Sequence, residues 1–294
     1  MIIKIKNSHY QVNIDSHGSQ MIKIINKDYH FNYLWDGLEW PKHAPILFPA
    51  IGRSNNDSYM LNGKKYSMPQ HGFAADQEFS IISHTEDRAI LELQSNQETK
   101  SQYPFNFRLQ VIFNLLSSGL SISFIVKNLN QDDMPFSLGS HPAFKVPIAN
   151  QGRFDNYYVD FVGNKEPLKV YEIIKKPYPY RTGKLESINT EGLHTIKLNH
   201  QIFKSGLRII LNHDINEVIV HSLKNKHSIS LMVSDFDNVC LWTKEDSNLP
   251  FLCIEPFNGL PDIYGNTVDW YKKEGNLIIK PQQEEHIQYE IKLS

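Results

Sequence analysis

Apolar and polar positions alternate along most of this chain. In "LSISFIVKN", Leu120, Ile122, Phe124 and Val126 fall on one side while Ser121, Ser123 and Lys127 fall on the other, the period of two expected of a strand with one buried face. "FNFRLQVIFNL" repeats the pattern just upstream, and Ser117-Ser118-Gly119 between them predicts a hairpin. A second hairpin is predicted in "YMLNGKKYSM", because Asn62-Gly63 can take the two positive φ angles of a two-residue turn. A third runs from "EFSIISH" through "TEDR" to "AILELQS". Further strands are expected at residues 2 to 6, 19 to 26, 217 to 223, 228 to 234, 238 to 243, 251 to 255 and 286 to 293. No stretch sustains a helical period over three turns. Many short strands between turn residues predict an all-β protein, a sandwich or a barrel. The most linker-like stretch, "IIKKPYPYRTGKLESINTEG" at 173 to 192, lacks a long Gly/Ser tract and reads as an elaborate loop within one domain spanning residues 1–294.

Composition narrows the function by exclusion. A formal net charge of -2 on 294 residues leaves no basic field to attract nucleic acid or an anionic membrane. The two cysteines, Cys240 and Cys253, are too few for a disulfide framework or a four-cysteine zinc site. A reducing compartment is the simplest expectation. "MIIKIKNSHYQVNI" breaks its apolar residues with Lys4, Lys6 and Asn7, unlike a signal peptide, and no stretch approaches the ~18 apolar residues of a membrane span. The expectation is a soluble, cytoplasmic protein. No phosphate-binding or dinucleotide-binding glycine loop and no nucleophile elbow occurs, so neither ATP nor a nicotinamide cofactor is indicated.

Three places stand out chemically. Of thirteen histidines most must be ordinary, but His71 precedes Gly72 and His141 precedes Pro142, which places each ring at a loop or strand end. Glu255 follows the apolar run "FLCI" and precedes Pro256, which should stop the ladder there. A carboxylate at the end of a buried strand needs a partner or a purpose. Two imidazoles and a carboxylate could hold a divalent ion or act as a metal-free acid/base set. Separations of 70 and 114 residues, with no His-x-His or His-x-x-x-His pair among the three, do not favour the metal.

Taken in order, "HAPILFPAIGR", "PQHGFAAD", "YPFNFRLQVIFNL", "LGSHPAFKVP" and "CIEPFNGLPD" resemble the aldose 1-epimerase (galactose mutarotase) family, in the bacterial branch associated with lactose and galactose use. The resemblance implies one large antiparallel β-sandwich of the galactose mutarotase-like supersandwich type, with a sugar cleft on a concave face. It also implies an isomerase that consumes no cofactor and binds a small sugar. Glu255 would be the general base for the anomeric hydroxyl and His141 the general acid for the ring oxygen, although the two histidines could exchange that role. His71 would be a third catalytic residue, holding the sugar and assisting near the same oxygen, and Arg53 would donate hydrogen bonds to sugar hydroxyls. Trp242 or Phe144 would form an apolar plate under the ring, and Asp214 would hold hydroxyls, with Asn216 as its alternative. Relatives carry an arginine after "HGFA" where this chain has Ala75 and Asp76, which lowers a hexose-6-phosphate reading while Lys64, Lys65 and Lys145 keep it open. A silent sugar-binding protein is the third reading, opposed by the presence of His71, His141 and Glu255 together.

Overall fold

The strands with the clearest alternation lie side by side in the computed structural model, which describes residues 1–175, 177–204, 206–212 and 214–294. Phe107–Leu116 pairs with Gly119–Asn128 from Phe107↔Asn128 to Leu116↔Gly119, so the turn is Ser117-Ser118. Gly119 closes it at φ 147°, where a Cβ would stand 2.0 Å from Ile291 O. Leu120, Ile122, Phe124 and Val126 are fully buried, as their spacing requires. This hairpin belongs to a nine-stranded antiparallel sheet in the order Thr195–Lys197, Tyr157–Val162, Glu217–Ser222, Asn225–Met232, Glu284–Leu293, Gly119–Asn128, Phe107–Leu116, Arg88–Gln94, Ser80–His84.

A second large sheet runs Tyr180–Ser187, Lys169–Ile174, Arg208–Leu211, Asn238–Trp242, Phe251–Asn258, Leu138–Ser140, Ile46–Leu47, with Ala143–Lys145 pairing the other end of Phe251–Asn258. One apolar core fills the space between the two sheets, joining Val111, Phe124 and Leu231 of the first to Val239, Leu241, Leu252 and Ile254 of the second. The fold is therefore all-β with two large antiparallel sheets face to face. A four-stranded sheet at the N-terminal end adds Ile5, Val12 and Ile14 to the same core. Ser58–Leu61 and Lys64–Ser67 form the small hairpin expected around Asn62-Gly63, with φ of 50° and 78° at the turn. The α-helix Gln97–Gln102 is six residues long, capped by Asn96 Oδ1, which accepts from Thr99 N–H at 2.8 Å. Among the described residues no helix is long and apolar enough to cross a membrane.

Two expectations are corrected. Residues 173 to 192 are not simply a loop, since Tyr180–Ser187 is a strand paired with Lys169–Ile174 at the edge of the second sheet. An edge strand needs one partner and little burial, and beyond Arg181 this strand buries none of its residues, so it carries no alternation to read. Nor does Pro256 end its strand, which runs on to Asn258 with Pro256 opposite Val239. Proline is tolerated because the ladder on the other flank breaks there, Ala143–Lys145 pairing with residues 251–253 and Leu138–Gly139 with 257–258.

Candidate active site

The break in that ladder creates the site. Between Leu138–Ser140 and Ala143–Lys145 the chain leaves the sheet for two residues, His141 and Pro142, and the uncovered span of the neighbouring strand contains Glu255. Alternation decides which way Glu255 points. Leu252 and Ile254 face the core between the sheets, so residues 253, 255 and 257 face away from it. His141 Nε2 consequently lies 3.2 Å from Glu255 Oε1, with both side chains almost buried. Cys240 is the cross-strand neighbour of Glu255, and Trp242 that of Cys253.

A cleft of about 440 Å³ opens over this pair, lined by Trp40, Arg53, His71, His141, Trp242 and Glu255, among others. Burial pushes the Glu255 carboxyl well above the usual range and the His141 imidazole well below its own, helped by the neighbouring His71 and by Lys42. Both shifts favour uncharged forms. The contact thus carries one proton that can sit on either partner at the same net charge, which is the form of an acid/base couple. The aromatic frame is close. The Trp40 ring stacks on His141 with centroids 5.2 Å apart and planes at 28°, while Trp242 meets the same imidazole edge-on at 5.8 Å.

His71 stands across the cleft floor, its ring centroid 5.8 Å from that of His141. Its backbone takes φ 66° and that of Gly72 φ 76°, a strained setting for a non-glycine residue that proteins keep where a side chain must be aimed. Gly72 is required there, because a Cβ would stand 2.2 Å from Phe48 O. The Gly52 N–H donates to His71 Nδ1 at 3.2 Å, which leaves the hydrogen of the neutral ring on Nε2. Burial first, then Lys42 and Arg53, lowers the His71 pKa to about 4.

Arg53 is held from three sides. Nη1 donates to Asp57 Oδ1 at 2.5 Å, Nη2 donates to Gln70 Oε1 at 3.1 Å, and the guanidinium lies 4.3 Å from the centroid of the Tyr178 ring. Behind it, Asp262 N–H donates to Arg53 O at 3.2 Å and Asp262 Oδ2 accepts from Asn55 N–H at 2.9 Å. Asp262 also pairs with Lys273 at 2.8 Å, both side chains no more than 3% exposed. A buried ion pair thereby fixes the segment carrying Arg53.

Five residues singled out by sequence, Arg53, His71, His141, Trp242 and Glu255, meet in one cleft. Three others lie elsewhere. Phe144 is fully buried in the core between the sheets, opposite Leu252, so it cannot plate a sugar. Asp214 and Asn216 line a separate polar depression with Lys165 and Asp237, because they follow Arg208–Leu211 at the end opposite the cleft-lining Leu207 and Ile209. Of the basic residues, Lys145 pairs with Asp36 at 2.7 Å, and the cleft takes its second cation from Lys42 rather than from Lys64 or Lys65. Nothing in "LEWPKHAP" marks Trp40 or Lys42 for the cleft, because the stretch has no periodicity. Only the tryptophan before a proline hinted at a fixed aromatic.

A model of the aldose 1-epimerase family matches residues 1–268. The plasmid and chromosomal LacX proteins of Lactococcus lactis subsp. lactis are each 28% identical to the chain over 272 residues, covering 88% of this chain and 88% of theirs. Among solved structures, a galactose mutarotase-like protein from Lactobacillus casei ATCC 334 is 36% identical with a TM-score of 0.95, covering 100% of both chains. A galactose mutarotase related enzyme from Lactobacillus acidophilus is 27% identical with a TM-score of 0.91, covering 100% of this chain and 97% of that one.

Proposed function

The chain belongs to the aldose 1-epimerase family, and from that premise we propose that it interconverts the α and β anomers of a free aldohexose such as galactose or glucose. The observation that carries the reading is the 3.2 Å contact between His141 and Glu255 at the floor of an open cleft. Opening a pyranose removes a proton from O1 while adding one to O5, and these two oxygens are bonded to the same carbon. The acid and the base must therefore stand side by side, as these two groups do.

With the shared proton on His141, Glu255 takes the O1 proton as the C1–O5 bond breaks, and His141 delivers its proton to the departing O5. The O1–H electron pair becomes the carbonyl bond and the C1–O5 pair stays on O5. The aldehyde turns about C1–C2, and closure runs the same transfers backwards, so both residues end as they began. His71, neutral and carrying its hydrogen on Nε2, donates to a sugar oxygen, and Arg53 donates to hydroxyls. Trp40 and Trp242 supply the apolar surface for the sugar's C–H face. One positioned acid or base contributes about 10²–10⁴ in rate. We take residues 1–294 as one domain in a reducing, cytoplasmic setting, supported by the common core and by two buried free thiols.

Polarimetry of freshly dissolved α-galactose and α-glucose tests the proposal. Acceleration over the spontaneous rate, lost in Glu255→Gln with sugar binding retained, is expected. A wild-type protein that leaves the spontaneous rate unchanged on every aldose sinks it. Lys42 and Arg53 give one specific reason to include glucose 6-phosphate in the panel.

A further inference from the structure

One group at the site has no part in moving protons to a sugar. Cys253 is fully buried two residues before Glu255 on the same face of the same strand, and its Sγ, a ring nitrogen of His141 and a carboxylate oxygen of Glu255 all lie within 4.8 Å of one another. We propose that Cys253, His141 and Glu255 form a binding site for a thiophilic divalent ion such as Zn²⁺, and that the enzyme with this site occupied is inhibited.

Three arguments support it. First, a tetrahedral zinc site with bonds of about 2.0–2.3 Å sets its ligand atoms roughly 3.3–3.8 Å apart, and the contact already at 3.2 Å together with the 4.8 Å limit brackets that range. Small side-chain movements suffice. Second, two of the donors sit on one strand, Cys253 paired with Ala143 and Trp242 on its two flanks and Glu255 with Cys240 on one, a rigid mounting of the kind a preorganised site needs. Third, binding releases the Cys253 thiol proton and the proton shared by Glu255 and His141 to solvent, and the thiolate and carboxylate so formed cancel the charge of the ion, so a dication occupies this buried floor without leaving net charge there. The thiol selects soft or borderline ions over Mg²⁺ or Ca²⁺. The ion enters through the cleft, which His141 and Glu255 line and Cys253 does not. Cys240 is also close, its Sγ hydrogen-bonded to the Glu255 carboxylate and 3.6 Å from Leu241 O, and it is outside this set. The inhibition rests on the acid/base reading of the pair, whereas the binding does not.

Cobalt(II) added to the reduced full-length protein reports on binding without reference to activity. The expected result is one equivalent bound with a thiolate-to-cobalt charge-transfer band in the near ultraviolet, lost in Cys253→Ala and in Cys253→Ser but kept in Cys240→Ala. In polarimetry, Zn²⁺ should slow anomerisation reversibly. The half-inhibiting concentration should rise in the Cys253 variants by at least roughly the 10–100-fold that even an outer-shell partner of a metal contributes. A wild-type protein with no such band overturns the proposal. So does a band that vanishes with Cys240 instead, a Zn²⁺ response indifferent to Cys253, or a chelator that abolishes activity.

Discussion

His141 and Glu255 are 114 positions apart in the chain, yet Nε2 of one lies 3.2 Å from Oε1 of the other. Neither strand alone brings them together. They meet because the chain leaves the sheet for two residues beside a strand that continues, so the imidazole at the break can reach the carboxylate on the outer face of that strand.

Keeping a carboxyl nearly dry has a cost that Glu255→Gln should reveal. Burial raises the Glu255 pKa, so above the ordinary glutamate value of ~4.3 the unfolded chain holds fewer protons than the folded one, and stability falls as pH rises. The variant should lose about 10²–10⁴ in turnover while gaining about 1 kcal/mol of stability near pH 7. The gain should shrink towards pH ~4. Thermal melts of both proteins across that range check it, and a variant less stable at neutral pH contradicts the burial argument.

His71 should titrate unusually low. With its pKa lowered to about 4 against ~6.5 in the unfolded chain, it remains neutral through the physiological range. Its contribution to stability is full above ~6.5 and declines as pH falls to about 4. Imidazole NMR signals assigned by comparison with His71→Asn should show no proton uptake until that pH. Asparagine tolerates the positive φ of this position, so the variant should fold while losing activity.

Trp40 should act through sugar affinity. Its ring stacks on His141 and forms one wall of the cleft. Trp40→Ala should raise KM by about 1 kcal/mol, roughly five-fold, the size of an aromatic contact beyond its area. Trp40→Phe should recover most of that. Steady-state polarimetry separates the two parameters, and an effect confined to kcat would assign the ring to proton transfer instead.

The Lys273–Asp262 pair should be structural. Lys273→Met leaves Asp262 charged and buried, at a cost of about 3–5 kcal/mol, visible as a lower urea midpoint. Adding Asp262→Asn should restore part of the loss. Because Asp262 holds the backbone at Arg53 and Asn55, KM should rise in the single variant before the protein unfolds.

Local order was legible wherever burial on one face imposes a period of two. The strands around Phe107–Leu116 and Gly119–Asn128 follow from it, as does the Asn62-Gly63 turn. The edge strand Tyr180–Ser187 escaped, because an exposed edge imposes no pattern. Phe144 and Trp242 looked alike as aromatics beside suggestive residues, and only the direction of each side chain from its strand sent one to the core and the other to the cleft.

All-β character and the residue types able to do the chemistry are written locally, because turn residues and alternation are properties of short stretches of chain. Only the packed fold places Glu255 mid-strand, His141 beside a break in the neighbouring ladder, Trp40 in the cleft wall and Asp214 apart. Those outcomes depend on which strands pair and in what register, and long-range pairing leaves no mark on the residues immediately around each site.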